Sequence, residues 1–322
     1  MKLEMLWERC EPDEVLRTRF HLTDSADAAR WVSAAVKHHW GIRTDACERI
    51  VMSDHNALAW VRTRHGRMLL KWSVAPHRFA RLGATASVVA WLGGLGLPVS
   101  APVPAEDGRV QVERGDVSMG LQRHIGGALL DVKNRQEVWE AGATLARLHD
   151  ALQVYPHADL AAQVLGSPDA ILAQMTGWLA SSNSAHLPAH VRDAFLRLVE
   201  SAPTESLSVQ VVHGDYRAAN ILCHDTQVVG VLDFEEARCD HRIVELARSA
   251  VLLGTLFHDW GPVSRSVRQQ LLAGYESVHQ LDPVEARWWD VLVLWYSLAL
   301  VPPGEDPTGW GAAALEQLAQ CR

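Results

Sequence analysis

The chain has 322 residues, 48% of them hydrophobic, and a formal net charge of −8 at pH 7, which speaks against non-specific contact with nucleic acid or an anionic membrane. No apolar run is long enough to cross a bilayer, and the N-terminal MKLEMLWERCEPDE lacks the apolar core and cleavage site of a secretory signal. Five cysteines, odd in number and without a C-x-x-C pair, fit a reducing cytoplasm and argue against a disulfide framework or a zinc site.

Along the chain, residues 24–40 carry a capping Asp or Ser and apolar positions at helical spacing. Three β-type runs follow at 47–53, 57–63 and 67–72, the last two joined by the turn RHGR, and predict a small antiparallel sheet. A helix fits 76–93 and stops at Gly93, Gly94 and Gly96. The proline-rich LPVSAPVPA precedes two strands near 109–113 and 117–123. Beyond residues 126–127 helical patterns dominate, at 134–152, 168–182, 188–200, 243–257, 263–278, 283–299 and 310–320. Only the β-loop-β segment 209–233 interrupts them. The expectation is an α+β chain of two lobes: a sheet-rich lobe over 1–125 and a helical lobe over 126–322, hinged near 122–127.

The segment VVHGDYRAANILC is followed by VVGVLDFEEA. Asn220 lies five positions after Asp215, and Asp233 thirteen further on. If the two apolar runs pair as a hairpin, the three side chains converge. Carboxylate and amide oxygens of this kind suit Mg²⁺, a hard cation that also takes phosphate oxygens. They fit phosphoryl transfer, where the protein mainly positions groups and neutralises charge. Alone, Asp215 would be a turn residue and Asp233 a strand-end cap; their joint spacing favours chemistry.

H-x-D-x-x-x-x-N followed by D-F resembles the catalytic and metal-binding loops of the protein-kinase-like fold. The form beginning His-Gly-Asp, with Asp-Phe-Glu, resembles the aminoglycoside phosphotransferase and choline kinase-like family of small-molecule kinases. GATLARLHDAL (142–152), GLPVSAPV (96–103) and ELARSA (245–250) are similar to further stretches of that family. The resemblance implies a bilobal fold, with a small antiparallel sheet in the first lobe and helices in the second. It implies ATP or GTP with Mg²⁺ as cofactors and a small-molecule hydroxyl as acceptor. Asp215 becomes the catalytic base, His213 a support for its loop, and Asn220 and Asp233 the metal ligands. Arg217 would neutralise the transferring phosphoryl group. Lys71, on the third β-run, would pair with the α- and β-phosphates. Ser53 and Asn56 in MSDHN would lie under the phosphates, and the backbone around Gln122 and His124 would bind adenine.

Between Lys71 and Glu106 there is no Asp or Glu, so the helix acid that normally orients such a lysine is missing. Thr85 or Ser87 could hydrogen-bond the ammonium as a weaker neutral acceptor; otherwise the phosphates themselves position Lys71, an acid from elsewhere substitutes, or the nucleotide site is weakened. His149 is expected to brace the catalytic loop. Glu235, Glu236 and Asp240 follow the metal aspartate, and Asp290, Trp288 and Trp289 lie on a late helix; these are candidate acceptor residues. For the tryptophans, with Trp295 on the same helical pattern, an apolar packing stripe is the default reading. The expected acceptor is an amino sugar, aminoglycoside or amino alcohol. The competing reading is a silent kinase-fold binding protein, which typically lacks one of the two aspartates, and both are present. A protein kinase fits less well, because helix resumes about a dozen residues after Asp233.

Overall fold

The computed structural model describes residues 1–258 and 260–321. The chain forms two compact units, Met1–Gly126 and a second from Gly127 onward. The α+β organisation expected from the sequence is observed: the first unit is built on a largely antiparallel sheet and the second is mainly helical.

The first unit contains β1 (Lys2–Met5), α1 (Pro12–Phe20), α2 (Ser25–Trp40), β2 (Thr44–Met52), β3 (Asn56–Thr63) and β4 (Gly66–Ser73). After a short 3₁₀ turn come α3 (Phe79–Gly94), β5 (Pro102–Val103), β6 (Val112–Arg114) and β7 (Val117–Arg123). The sheet order is β1-β2-β3-β4-β7-β5, with β6 also on β7, and only β1 runs parallel to its neighbour. Asp24 caps α2 by accepting the Asp27 N–H at 2.8 Å, and Gly41 ends it in the left-handed region. The apolar positions of α1 and α2 (Leu16, Phe20, Val32, Val36) are buried against Ile50, Met52, Leu70 and Trp72 of the sheet. Each such fully buried side chain contributes about 1.5–3 kcal/mol. On β4, Met68, Leu70 and Trp72 are buried, and alternation places Lys71 on the opposite face.

Neither β1 nor α1 was expected. Only four residues of β1 pair, so the strand exists through its alignment with Arg49–Met52 and carries no alternation long enough to announce it.

The second unit contains β8 (Ala128–Leu129), α4 (Arg135–Gln153), α5 (Ala158–Leu165), α6 (Ile171–Ala180) and α7 (Ala189–Glu200). Then come β9 (Gln210–Val212), β10 (Ile221–His224), β11 (Gln227–Val231) and β12 (Arg238–Asp240). Helices α8 (Arg242–Leu252), α9 (Arg265–Glu276), α10 (Pro283–Ala299) and α11 (Trp310–Gln320) complete it. Helices α4 and α9 cross at unusually close range. A Cβ on Gly142 would lie 2.0 Å from the Leu271 carbonyl oxygen, and one on Gly274 1.9 Å from that of Trp139. Two facing glycines therefore set this crossing, which fixes the helix that carries His149.

Two corrections concern the segment that holds the aspartates. The apolar runs 210–212 and 227–231 do not pair with each other: β9 pairs with β12, and β11 with β10. Helix α8 ends at Leu252, short of the expected residue 257. There the chain turns toward the aspartate loop, and the Leu253 carbonyl accepts the Ala218 N–H at 2.8 Å in place of a helical partner. No helix among the described residues is long and apolar enough to cross a membrane.

Candidate active site

Strand β9 delivers the chain to His213 and Gly214, where it must reverse. Gly214 has φ +85°, and a Cβ there would stand 2.0 Å from the Glu236 carbonyl oxygen, so only glycine fits. The reversal leaves two N–H groups pointing inward, and one buried carboxylate satisfies both. Glu245 of α8, 2% exposed, accepts the His213 N–H at 3.0 Å and the Gly214 N–H. It also accepts a hydrogen bond from His149 Nε2 at 2.8 Å, and His149 Nδ1 lies 2.9 Å from the Tyr275 hydroxyl. Burial opposes the charge on Glu245, yet the His149 hydrogen bond, the fields of His149 and His213 and the Gly214 N–H outweigh it. The carboxyl is lowered to about 2. His149 thus braces the loop through Glu245, and Arg248 and Arg238 both donate to the Gly214 carbonyl.

Asp215 stands at the end of this braced turn. Its N–H donates to His213 Nδ1 at 3.1 Å. Both carboxylate oxygens accept from Arg217 Nε at 3.0 Å, and one accepts from Asn220 Nδ2 at 2.8 Å. Arg248 Nη1 lies 3.8 Å from Asp215 Oδ1. Arg217 is itself held, donating to the Thr255 carbonyl at 3.2 Å and lying 5.3 Å over the Trp260 ring. Two guanidiniums therefore lie near the carboxylate.

Asp233 is joined to this loop through its neighbour in the chain. The Leu232 N–H donates to the Asn220 carbonyl at 2.8 Å, and the Leu232 carbonyl accepts from His213 Nε2 at 2.8 Å. His213, 1% exposed, has both ring nitrogens engaged with backbone, so it positions the loop and carries no substrate proton. Asp233 follows in the left-handed region, at φ +59°.

The residues fit a Mg²⁺ ion of the substrate-bridging kind. Asn220 uses its amide nitrogen on Asp215, at both the carboxylate and the main-chain carbonyl, which leaves its side-chain oxygen as the ligating atom. No group of three His, Cys, Asp or Glu suited to a metal occurs among the described residues. One amide oxygen and one carboxylate suit an ion that keeps phosphate and water oxygens as its remaining ligands.

The first unit holds the other expected residues. Lys71 sits mid-strand on β4, in register with Leu58 and Gly120. Of the open alternatives for orienting Lys71, the two neutral acceptors on α3 do not serve it. Thr85 is buried with its hydroxyl unpartnered, and Ser87 is exposed and donates to Gly83 of its own helix at 2.9 Å. Ser53 and Asn56 close the β2–β3 turn, Ser53 N–H to the Asn56 carbonyl at 2.8 Å. Gln122 and His124 lie at the end of β7.

The candidate acceptor residues divide. Glu235 is half-buried and Glu236 exposed, immediately after Asp233. Asp240 is a correction: it is 4% exposed and its carboxylate accepts from Arg238 at 3.0 Å and the His241 N–H at 2.8 Å, so it braces β12. Trp288 is 3% exposed within the packing of α10, as the packing-stripe reading of the tryptophans has it, and does not face an acceptor. Trp289 and Asp290 line a separate cavity between α9, α10 and α11. The sequence reading gave no role to Arg248, Thr255, Trp260 or Tyr275. Arg248 was within reach of a pattern argument, since it lies three positions after Glu245 and so on the same helical face. Trp260 gave no such signal.

Comparison with solved structures places the fold. The macrolide 2′-phosphotransferase of Brachybacterium faecium superposes with a TM-score of 0.60 at 15% identity, covering 92% of this chain and 96% of that one. A microcompartment-associated aminopropanol kinase gives 0.58 at 19% identity, over 91% and 95%. A spectinomycin phosphotransferase, in complex with ADP and spectinomycin, gives 0.54 at 11% identity, over 91% and 94%. No curated protein matches in sequence. The chain matches the phosphotransferase enzyme family across residues 52–289, a stretch that contains Lys71 and the whole aspartate loop, and it belongs to that family.

Proposed function

We propose that the protein transfers the γ-phosphoryl group of ATP, or of GTP, to a hydroxyl of a small molecule. Asp215 accepts the proton of that hydroxyl, and the braced loop fixes where its carboxylate stands. Arg217 neutralises charge on the transferring group, and Lys71 pairs with the α- and β-phosphates. Ser53 and Asn56 approach the phosphates, and the Gln122–His124 backbone binds the base. Asn220 and Asp233 would hold Mg²⁺, which would supply positive charge to offset that of the phosphates.

The observation that carries this reading is the convergence of Asp215, Asn220 and the Leu232–Asp233 backbone on one loop, held by the buried Glu245. The proposed acceptor is an amino sugar, aminoglycoside or amino alcohol, its ammonium bound by Glu235 and Glu236. Spectinomycin and aminopropanol, named for two structural relatives, are of that chemistry. The five free cysteines fit action in a reducing cytoplasm.

The test is nucleotide consumption with ATP and with GTP, with and without Mg²⁺, over a panel of amino sugars, aminoglycosides, choline and neutral polyols. Mg²⁺-dependent turnover that vanishes in Asp215→Asn is expected. Turnover undiminished by that substitution removes Asp215 as the base, and phosphorylation of neutral or anionic compounds alone removes the cationic acceptor.

A further inference from the structure

Trp289 and Asp290 line a cavity of about 80 Å³ where α9, α10 and α11 meet. Arg265 and Arg268 of α9, Val293 of α10 and Gln317 of α11 share its wall. None of these residues touches Asp215, Arg217 or Asn220.

Arg268 is the informative group. It is 4% exposed, and no carboxylate among the described residues lies within ion-pair distance of it. Its guanidinium donates to the Val263 carbonyl at 2.9 Å and to Gln317 Oε1 at 3.2 Å, both neutral acceptors. Gln317 turns its own amide nitrogen toward Asp290 Oδ1 at 3.4 Å, so it passes the dipole on and supplies no counter-charge. Burial lowers the pKa of Arg268; the field of Glu316, exposed on α11, opposes this and that of Arg265 adds to it. A buried guanidinium with only neutral partners is unfavourable, and an anion in the adjoining space removes the deficit.

The wall also specifies which anion. Two arginines and one aspartate favour a single negative charge, because a second would meet Asp290. Trp289 and Val293 offer an apolar surface, and a space of this volume holds only a few heavy atoms. We propose that this cavity binds a small monocarboxylate, its oxygens on Arg268 and Arg265 and its short alkyl end against Trp289 and Val293.

The experiment is calorimetric titration of the full chain with acetate, propionate and inorganic phosphate at matched ionic strength. Tryptophan fluorescence is followed in parallel, since Trp289 forms part of the wall. Saturable propionate binding is expected, weakened at least tenfold in Arg268→Met and in Arg265→Gln. Arg265 is exposed, so the second variant keeps the test valid if the first fails to fold. Trp289→Phe should abolish the fluorescence response to propionate. Absence of saturable binding, equal affinity in Arg265→Gln, or tighter binding of phosphate than of propionate each overturns the proposal.

Discussion

His213 Nε2 donates to the Leu232 carbonyl at 2.8 Å, which ties the aspartate loop to the residue immediately before Asp233. The same ring lies 3.1 Å from the Asp215 N–H through Nδ1, so both of its nitrogens are engaged with backbone. One imidazole therefore ties the proposed base to the proposed metal carboxylate.

Replacing His213 by Ala leaves the Leu232 carbonyl and the Asp215 N–H, both partly buried, without their side-chain partner. Each such group costs about 1–3 kcal/mol. The variant is expected to unfold at lower denaturant concentration by roughly 2–4 kcal/mol. Turnover should fall because the two loops lose their fixed spacing. Denaturation monitored by circular dichroism, beside a coupled nucleotide assay, checks both.

Asp215→Asn keeps the shape of the side chain and removes the basic carboxylate. Turnover should drop by about 10²–10⁴-fold, the usual range for loss of a general base. Nucleotide affinity, read by calorimetry, should stay within about twofold, because Asp215 is assigned no nucleotide contact and a twofold change is only a fraction of 1.4 kcal/mol.

Glu245 links the site to acid stability. Its folded-state value of about 2 lies below the ordinary 4.5, so the unfolded chain binds the proton more tightly. The contribution is complete above pH 4.5 and is lost as pH falls from there through about 2. Glu245→Gln should therefore destabilise the protein by about 3 kcal/mol near neutral pH, as for one partner lost from a buried pair. It should also flatten the stability profile over that acid window. Unfolding free energies measured between pH 7 and the acid limit of reversibility test the sign, and a slope identical to that of the parent chain contradicts it.

Gly214→Ala is expected to be inactive and strongly destabilised. The new Cβ would fall 2.0 Å from the Glu236 carbonyl at a backbone angle of φ +85°. Relief requires β9 or the Glu236 turn to move, at a cost of about 3 kcal/mol or more. The soluble yield and thermal midpoint of the variant measure it.

Much of this protein was present in its pattern of residues. The helices from 134 onward, except α5, and the strands over 44–73 follow from apolar spacing and from caps such as Asp24, because period and capping are local properties. The aspartate loop was legible too, since the spacing of Asp215, Asn220 and Asp233 is fixed along the chain. What tertiary structure decided was partnership. β9 joined β12 and β10 joined β11, because strand pairing is a choice among distant segments. Helix α8 stopped at Leu252 because carbonyls of the following segment turn to Ala218 and Arg217. Asp240 became a brace and Asp290 part of a separate cavity, although both read as candidate acceptor acids in the sequence. Burial and neighbours, which no local pattern encodes, decide whether a carboxylate holds a loop, faces a ligand or stands in water.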